Sequence, residues 1–342
     1  MPSKPLEIVR PARTASARPR IVDVGEGAGL ASACEALRTK PVELVGVLCD
    51  HPSNAHEESV RAVQQRYGLG HRAQDIAGYY GVEYKHHRDL NDTVVVEWLH
   101  AQGAELLLCF GPRTIFRGPM LERFAGKILN VHTAPLPTYR GGATDSWMIL
   151  LGEQSAYGVC HLIDQTIDGG PIYATAPYAI PPEALPIDIH RARTAIVPKL
   201  VERALANYFD PHFQPAPQEL SRGFYLPKLS TERDGEIDWS LPADAVERMI
   251  RAFSDPYPGA WTFLEQSPDD VRRLSIGRAR VVDSAGGLHP FARGLIIRKT
   301  DNRWCVATGQ GIVEIWDLRW GAGGEAPRLL GKRFSSKRGV MS

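Results

Sequence analysis

No apolar run in this sequence approaches the roughly 18 residues that a bilayer-spanning helix needs. Charge of one sign is lacking too. Lysine and arginine number 40 against 39 acids, a formal net charge of +1, so no global field draws the chain to nucleic acid or an anionic surface. Cysteine is scarce and unpaired. Cys34, Cys49, Cys109, Cys160 and Cys305 lie far apart with no Cys-x-x-Cys spacing, which argues against a disulfide framework and a zinc ribbon. Three of the five sit inside apolar runs (VGVLCD, LLLCFG, YGVCHL) and read as buried thiols, suiting a reducing, cytoplasmic setting. The opening stretch MPSKPLEIVRPARTASARPR is basic, with Glu7 its only acid, and holds no continuous apolar core of a secretory signal. Residues 1–19 are read as a disordered lead-in. Internal repeats and low-complexity tracts are also absent.

What is present suits two domains: 342 residues, of which 43% are hydrophobic and 23% charged, an ordinary globular balance. IVDVG (21–25), VELVGVLCD (42–50), LLLCFG (106–111) and KILNVH (127–132) read as strands apolar on both faces. Between them GAGLASACEALRTK, TVVVEWLHAQGAE and PMLERFAG show helical spacing. The alternation predicts an α/β domain with a doubly wound, mostly parallel sheet. YGVCHLI (157–163) and PIYATAPYAI (171–180) add two strand-like pieces around the loop DQTIDGG, and one helix, IDIHRARTAIVPKLVERALANYF, closes a domain spanning 20–209. Residues 210–236, rich in Pro and polar side chains, read as a linker. Residues 237–342 hold one helix (ADAVERMIRAF) and several β-like runs, which predicts a smaller β-rich, barrel-like domain.

Ligands of open α/β sheets bind at the carboxyl ends of the strands, and Asn130 and His132 stand at one such end. At period two they point to the same side. An amide beside an imidazole can hold a developing oxyanion and move a proton. The loop DQTIDGG offers Asp164 and Asp168, and a carboxylate against His132 would raise its basicity. Each residue alone has a bland reading as a turn or cap. Their joint occurrence, with Pro135, Pro137, Arg140 and Gly141 stiffening the turn between them, favours chemistry. The glycine turn VGEGAGL misses G-x-G-x-x-G because Leu30 occupies the last required position. It is at least as well read as a tight strand-to-helix turn as a phosphate cradle.

"NVHTAPLPTYRGG" followed by "GVCHLIDQTIDGGPI" resembles the folate-dependent formyltransferases over roughly residues 20–210. The resemblance implies transfer of a formyl group from 10-formyltetrahydrofolate, as cosubstrate, to a primary amine, with no metal. It implies that Asn130, His132 and Asp168 form the catalytic triad, with His161 as the supporting histidine. Tyr139, Arg140 and Gly141 would form the turn that supports the substrate. A pterin slot would be lined by Arg113, Thr114, Ile115 and Phe116, and by the loop from Asp164 to Asp168. Thr133-Ala134 departs from the usual Ser-Leu pair. "DGEIDWSLPADAVERMIRAFSDPYPGAWT" resembles the accessory domain of methionyl-tRNA formyltransferases and of longer amino-sugar enzymes. Its Trp239 and Trp261 are expected to be buried rather than ligand-stacking.

The methionyl-tRNA subfamily carries a basic insertion after the second strand. Here DHPSNAHEESVRAVQQRYGLGHRAQD holds three arginines, no lysine and four acids. It looks helical rather than like a basic loop. The expected acceptor is therefore a small amine on a nucleotide-linked sugar, with tRNA kept as the alternative and a membrane partner not expected. A non-catalytic folate- or nucleotide-binding module is the second alternative, and a dinucleotide oxidoreductase a distant one. The sequence leaves a homo-oligomer open.

Overall fold

The structure, a computed structural model, describes residues 18–267, 270–320 and 329–336. The expected disordered lead-in, residues 1–19, lies outside them except for its last two positions. The chain forms two compact units: one runs through Gly141, Ser155–Ile180 and His190–Leu226, the other comprises Gly142–Gln154, Pro181–Ile189 and the residues from Pro227 onward.

In the first unit the strands β1 (Arg20–Gly25), β2 (Glu43–Cys49), β3 (Glu83–His86), β4 (Leu106–Phe110) and β5 (Ile128–His132) run parallel, and the longer β7 (Ser155–Leu162) and β8 (Ile172–Ala179) complete the sheet antiparallel in the order β3-β2-β1-β4-β5-β7-β8. The order reverses between β1 and β4, the position where doubly wound sheets leave a crevice at their carboxyl ends. A short strand β6 (Tyr139–Gly141) pairs apart from this sheet with β9 (Phe224–Leu226).

Both faces of the sheet are covered, which is why its strands are apolar throughout. Ile21, Leu106, Leu108, Leu129 and Val131 pack in one cluster with Val197, Leu200, Val201, Ala204, Leu205 and Tyr208. Their alternates Val22, Val24, Leu107, Cys109 and Ile128 pack in another with Val95, Leu99, Met120 and Phe124. The second set comes from α4 (Thr93–Ala101) and from α5 (Gly118–Arg123) with the residue after it. Around β1 to β3 lie α1 (Gly27–Arg38), α2 (Ala55–Arg66), started by Asn54 Oδ1 accepting from the Glu57 amide at 3.0 Å, and α3 (Ala73–Tyr80).

The single helix expected near residues 187–209 is two: α7 (Pro186–Ala195) and α8 (Val197–Phe209). Pro198 sits in the first turn of α8. It has no N–H for the carbonyl four residues back, so the α7 ladder ends there. The segment expected as a linker, 210–236, is packed in its first part. Ala216 and Ile172 exchange backbone hydrogen bonds of 2.8 and 3.0 Å, and residues through Leu226 belong to the first unit.

The second unit contains α6 (Thr144–Leu151), the one-turn α9 (Thr231–Asp234) and α10 (Ala243–Ala252), with six antiparallel strands. These are β10 (Ala260–Ser267), β11 (Asp270–Asp283), β12 (Ile296–Thr300), β13 (Arg303–Ala307), β14 (Ile312–Trp320) and β15 (Arg333–Ser335), in the order β12-β13-β14-β11-β10-β15. A bridge between Leu295 and Arg333 brings the last strand back to the first, curling the sheet into the expected barrel-like form. Trp239, buried, stacks on Phe334 at 5.3 Å and donates through Nε1 to Thr262 Oγ1 at 2.9 Å. Trp261 is buried as well. Both tryptophans are core residues.

Candidate active site

Leu129 and Val131 belong to one core face, so Ile128, Asn130 and His132 point to the other. Ile128 closes the apolar core on that side, and the two polar residues continue the same line to the strand's end. Asn130 lies opposite His161 across the antiparallel β5–β7 pair. Its Nδ2 is 3.1 Å from His161 Nε2, and His161 Nδ1 is 2.9 Å from the carbonyl of Leu162. A carbonyl only accepts, so Nδ1 carries the proton and Nε2 takes the Asn130 N–H. Burial lowers the His161 pKa from 6.5 to about 4 despite the nearby Asp168 carboxylate. The imidazole is a neutral acceptor through the physiological range. Asn130 is thereby fixed in rotation, and its Oδ1 is buried without a partner.

His132 Nε2 lies 2.7 Å from the carbonyl of Tyr139, which makes it the protonated nitrogen and leaves Nδ1 for other work. Asp168 completes the cluster. Its Oδ2 accepts from the Gly141 amide at 2.9 Å and stands 3.9 Å from His132 Nδ1, while Oδ1 stands 3.7 Å from His161 Nε2. The two imidazole separations are too long for direct hydrogen bonds and leave a gap that a bridging atom can fill. Asp168 has φ +51°, a left-handed conformation that non-glycine residues adopt at a cost of about 1–3 kcal/mol and that clusters at functional sites.

The turn between these residues is anchored from outside. Thr133, at the position where the sequence departs from its resemblance, accepts from Arg193 Nη1 on Oγ1 and from the Tyr178 hydroxyl on its carbonyl, each at 2.7 Å. Tyr139 is buried, and Arg140 is half-buried with an Nε that has no partner. Asp164 spends Oδ1 inside its own loop, accepting from Thr166 N at 2.7 Å and Thr166 Oγ1 at 2.6 Å.

The segment Arg113–Phe116 leaves the carboxyl end of β4, whose Cys109 pairs with Asn130. Asp50, buried at the end of β2, accepts from the amides of Arg113 at 2.8 Å and Thr114 at 2.6 Å. Arg113 pairs with Glu57, Ile115 is exposed and Phe116 is buried. Asn91 fixes the same segment, donating to Ile115 O at 3.0 Å and accepting from Arg117 N at 2.7 Å. His51 Nε2 donates to Gly111 O at 3.0 Å, and burial, then Arg113, lowers its pKa. Sequence reasoning did not single out Asp50, His51 or Asn91. Their partners lie tens of residues away.

The glycine turn after β1 is a packing device. A Cβ on Gly25 would fall 2.2 Å from the Phe110 carbonyl oxygen, and one on Gly29 would fall 1.9 Å from the Phe110 ring. Glu26 turns its carboxylate to Arg61 at 3.0 Å and to the Ala73 amide at 3.1 Å.

Comparison with known proteins adds the following. The formyl transferase family model matches residues 20–197, and the model of the formyl transferase C-terminal domain matches residues 229–327. A methionyl-tRNA formyltransferase of Chloroflexus aurantiacus is 30% identical over 283 residues, covering 80% of this chain and 88% of the relative. Among solved structures, the N-formyltransferase from Helicobacter canadensis, in complex with folinic acid and dTDP-3-aminofucose, aligns with a TM-score of 0.63 at 14% identity, over 89% of this chain and 100% of that one. HypX from Aquifex aeolicus in complex with tetrahydrofolic acid aligns with a TM-score of 0.55 at 18% identity, over 94% of this chain and 46% of that one.

Proposed function

The chain belongs to the formyl transferase family, whose reaction moves a formyl group from formyltetrahydrofolate, and on that premise we propose Asn130, His132 and Asp168 as its catalytic residues and a nucleotide-linked amino sugar as its acceptor. The amine nitrogen attacks the formyl carbon of 10-formyltetrahydrofolate, forming a C–N bond and a tetrahedral oxyanion. Asn130 has one N–H committed to His161; the other donates to that oxygen, with His132 in its protonated form as the second donor through Nδ1. The ammonium proton passes to Asp168, directly or through a water in the gap beside His132. The C–N10 bond then breaks, N10 takes a proton, and tetrahydrofolate leaves. Arg113–Phe116 and the loop from Asp164 to Asp168 flank this cluster as the folate-facing segments.

The acceptor reading rests on one observation. The segment after β2 is two helices, and two of its three arginines are already paired: Arg61 with Glu26 at 3.0 Å and Glu58 at 2.8 Å, Arg72 with Glu58 at 2.7 Å. Paired guanidinium groups have little left for a phosphate backbone. The barrel repeats the pattern, with Arg280 and Arg303 on Glu314 and Arg273 on Glu232. Methionyl-tRNA as acceptor is the second reading, favoured by the relatives of that name.

Tetrahydrofolate release is measured with 10-formyltetrahydrofolate, on a panel of nucleotide-linked 4-amino and 3-amino sugars and on charged initiator methionyl-tRNA, at 50 and 200 mM salt. Turnover of a sugar with kcat/KM changing by less than about tenfold between the two salt concentrations supports the reading. Turnover of the tRNA alone, falling steeply with salt, overturns it.

A further inference from the structure

Gln218, in the segment whose composition suggested a linker, reaches the back of the catalytic loop. Its Nε2 donates to the carbonyl of Asp168 at 3.0 Å and to that of Gly170 at 2.7 Å. Both partners can only accept, so the end of the carboxamide that faces them is the NH2 group, and its two hydrogens are divided between the Asp168–Gly169 and Gly170–Pro171 peptides. The antiparallel bridge of Ala216 to Ile172 fixes the main chain two residues before Gln218 to the strand that leaves this loop. The clamp is therefore braced on β8 rather than free.

The loop needs such a clamp. Asp168 is held at φ +51°, where an L side chain is disfavoured unless surrounding contacts over-determine the backbone. That conformation aims the carboxylate at the Gly141 amide and into the gap between His132 and His161. The carboxylate itself has one hydrogen bond in this cluster, from Gly141. The carbonyls on either side of Gly169 are what fix the peptide planes of the loop. Apolar cover there comes from a different residue, Leu220, whose side chain lies against Gly169, so the distinctive contribution of Gln218 is its pair of donors.

We propose that Gln218 is a positioning residue for formyl transfer: by bonding the Asp168 and Gly170 carbonyls it holds Asp168 left-handed and so sets the place of the proton-handling carboxylate. This rests on the catalytic role given to Asp168 above. The test is a double-mutant cycle on the full chain, comparing the parent with Gln218→Leu, Asp168→Ala and the two combined. Single-turnover rates of formyl transfer from 10-formyltetrahydrofolate are measured on whichever acceptor of the panel turns over, with binding of 5-formyltetrahydrofolate and thermal melting as controls. Gln218→Leu, which keeps bulk and loses the donors, is expected to slow transfer about 10- to 100-fold, the scale of a misplaced catalytic group, with 5-formyltetrahydrofolate affinity within about threefold of the parent. In the Asp168→Ala background the same change is expected to alter the rate by less than about twofold, because residues acting as a unit are not additive. Gln218→Lys, which restores donors, is expected to recover part of the rate. If Gln218→Leu fails to fold, Gln218→Glu serves in its place. A donor-losing variant (Gln218→Leu or Gln218→Glu) within twofold of the parent, or a loss repeated in full in the Asp168→Ala background, overturns the proposal. Full activity in Asp168→Ala alone is a different failure, one that removes the premise.

Discussion

At the carboxyl end of β1, Glu26 meets Arg61 and the Ala73 amide, and the nearby Gly25 and Gly29 are pressed against Phe110. At the carboxyl ends of β5 and β7, Asn130 Oδ1 has no partner, Asp168 stands 3.7 and 3.9 Å from two imidazoles, and its backbone is left-handed without being glycine. Both clusters crown the same sheet. The sequence leaves the glycine turn open between a tight turn and a phosphate cradle, and in the structure the Glu26 carboxylate at its centre is satisfied by the protein itself. The second cluster keeps polar atoms and a gap in reserve, which a packed core otherwise avoids because an unpartnered buried polar atom costs about 1–3 kcal/mol. Asp23 Oδ1 on β1 is also buried without a partner, so what separates site from scaffold here is the gap beside two imidazoles together with a strained carboxylate-bearing loop.

Breaking the unsatisfied end should have the largest effect. Asn130→Ala and Asp168→Ala are each expected to lower kcat of formyl transfer a hundredfold or more, the loss typical of an oxyanion donor or of a positioned proton acceptor. Melting should barely change in Asp168→Ala, because little of the fold leans on that carboxylate. Steady-state kinetics and calorimetry on the same preparations check both statements. A variant within a few-fold of the parent would move that residue to the scaffold.

The satisfied end should respond the opposite way. Gly25→Ala places a Cβ 2.2 Å from a backbone oxygen at φ +145°, which neither a rotamer change nor a small shift relieves. A destabilisation of about 2–4 kcal/mol is expected from such overpacking and strain, read as a lower urea midpoint. Formyl transfer per folded molecule should stay within about threefold of the parent. A folded, stable Gly25→Ala protein without activity would return the turn to the list of ligand-binding candidates.

Acidity sharpens the contrast, since each region buries an acid or imidazole displaced in pKa. Burial raises Asp23 on β1 from 3.8 to about 8, opposed by the Cys34 thiol that donates to it, and burial lowers His161 on β7 from 6.5 to about 4. Between pH 4 and 8 the folded chain holds an Asp23 proton that the unfolded chain has released, so this group's contribution fades as pH rises to 8. Between pH 6.5 and 4 the unfolded chain takes up a His161 proton that the fold refuses, so stability from that group fades as pH falls. From pH 6.5 to 8 the Asp23 contribution falls by about 2 kcal/mol at 1.36 kcal/mol per unit. The buried histidines His51, His161 and His190 partly offset this, because their lowered pKa values add stability as the unfolded chain loses its histidine protons. The stability difference between the parent and Asp23→Asn, read from urea midpoints, should therefore shift against the parent by about 2 kcal/mol across that range. A difference that does not change with pH would show Asp23 to be ionised in the fold.

The sequence makes the sheet legible because both faces of each parallel strand are buried, and an unbroken apolar run bounded by glycine or proline has few other readings. The division of residues 186–209 into two helices was not legible, because a proline in the first turn of a helix and one that interrupts a helix look alike until the cap is seen. Asn130, His132 and Asp168 stood out because each lies in a dense local motif. Asp50 and Gln218 did not. Asp50 bonds amides 63 and 64 residues away, and Gln218 bonds carbonyls 50 and 48 residues away. Nothing in their own neighbourhoods distinguishes them from solvated polar residues, and only the folded chain puts their partners within reach.

Asp164 tests where the boundary between the two kinds of region falls inside one loop. The resemblance placed it against the folate, four residues from Asp168. In the structure its Oδ1 accepts from the amide and hydroxyl of Thr166, a turn in which an acceptor matters and a charge does not. Asp164→Asn keeps that acceptor and is expected to leave kcat and the KM for 10-formyltetrahydrofolate within about twofold of the parent. Asp164→Ala removes it, and losing a turn bond worth about 1 kcal/mol should cost roughly three- to fivefold in kcat. The KM for the folate is the deciding number. If Asp164→Asn raises it tenfold while leaving kcat intact, the carboxylate charge itself meets the folate, and Asp164 belongs with the unsatisfied cluster at the ends of β5 and β7. If only Asp164→Ala has an effect, and that effect is on kcat, Asp164 shapes the loop that carries Asp168 and the reactive part of the loop begins after Thr166.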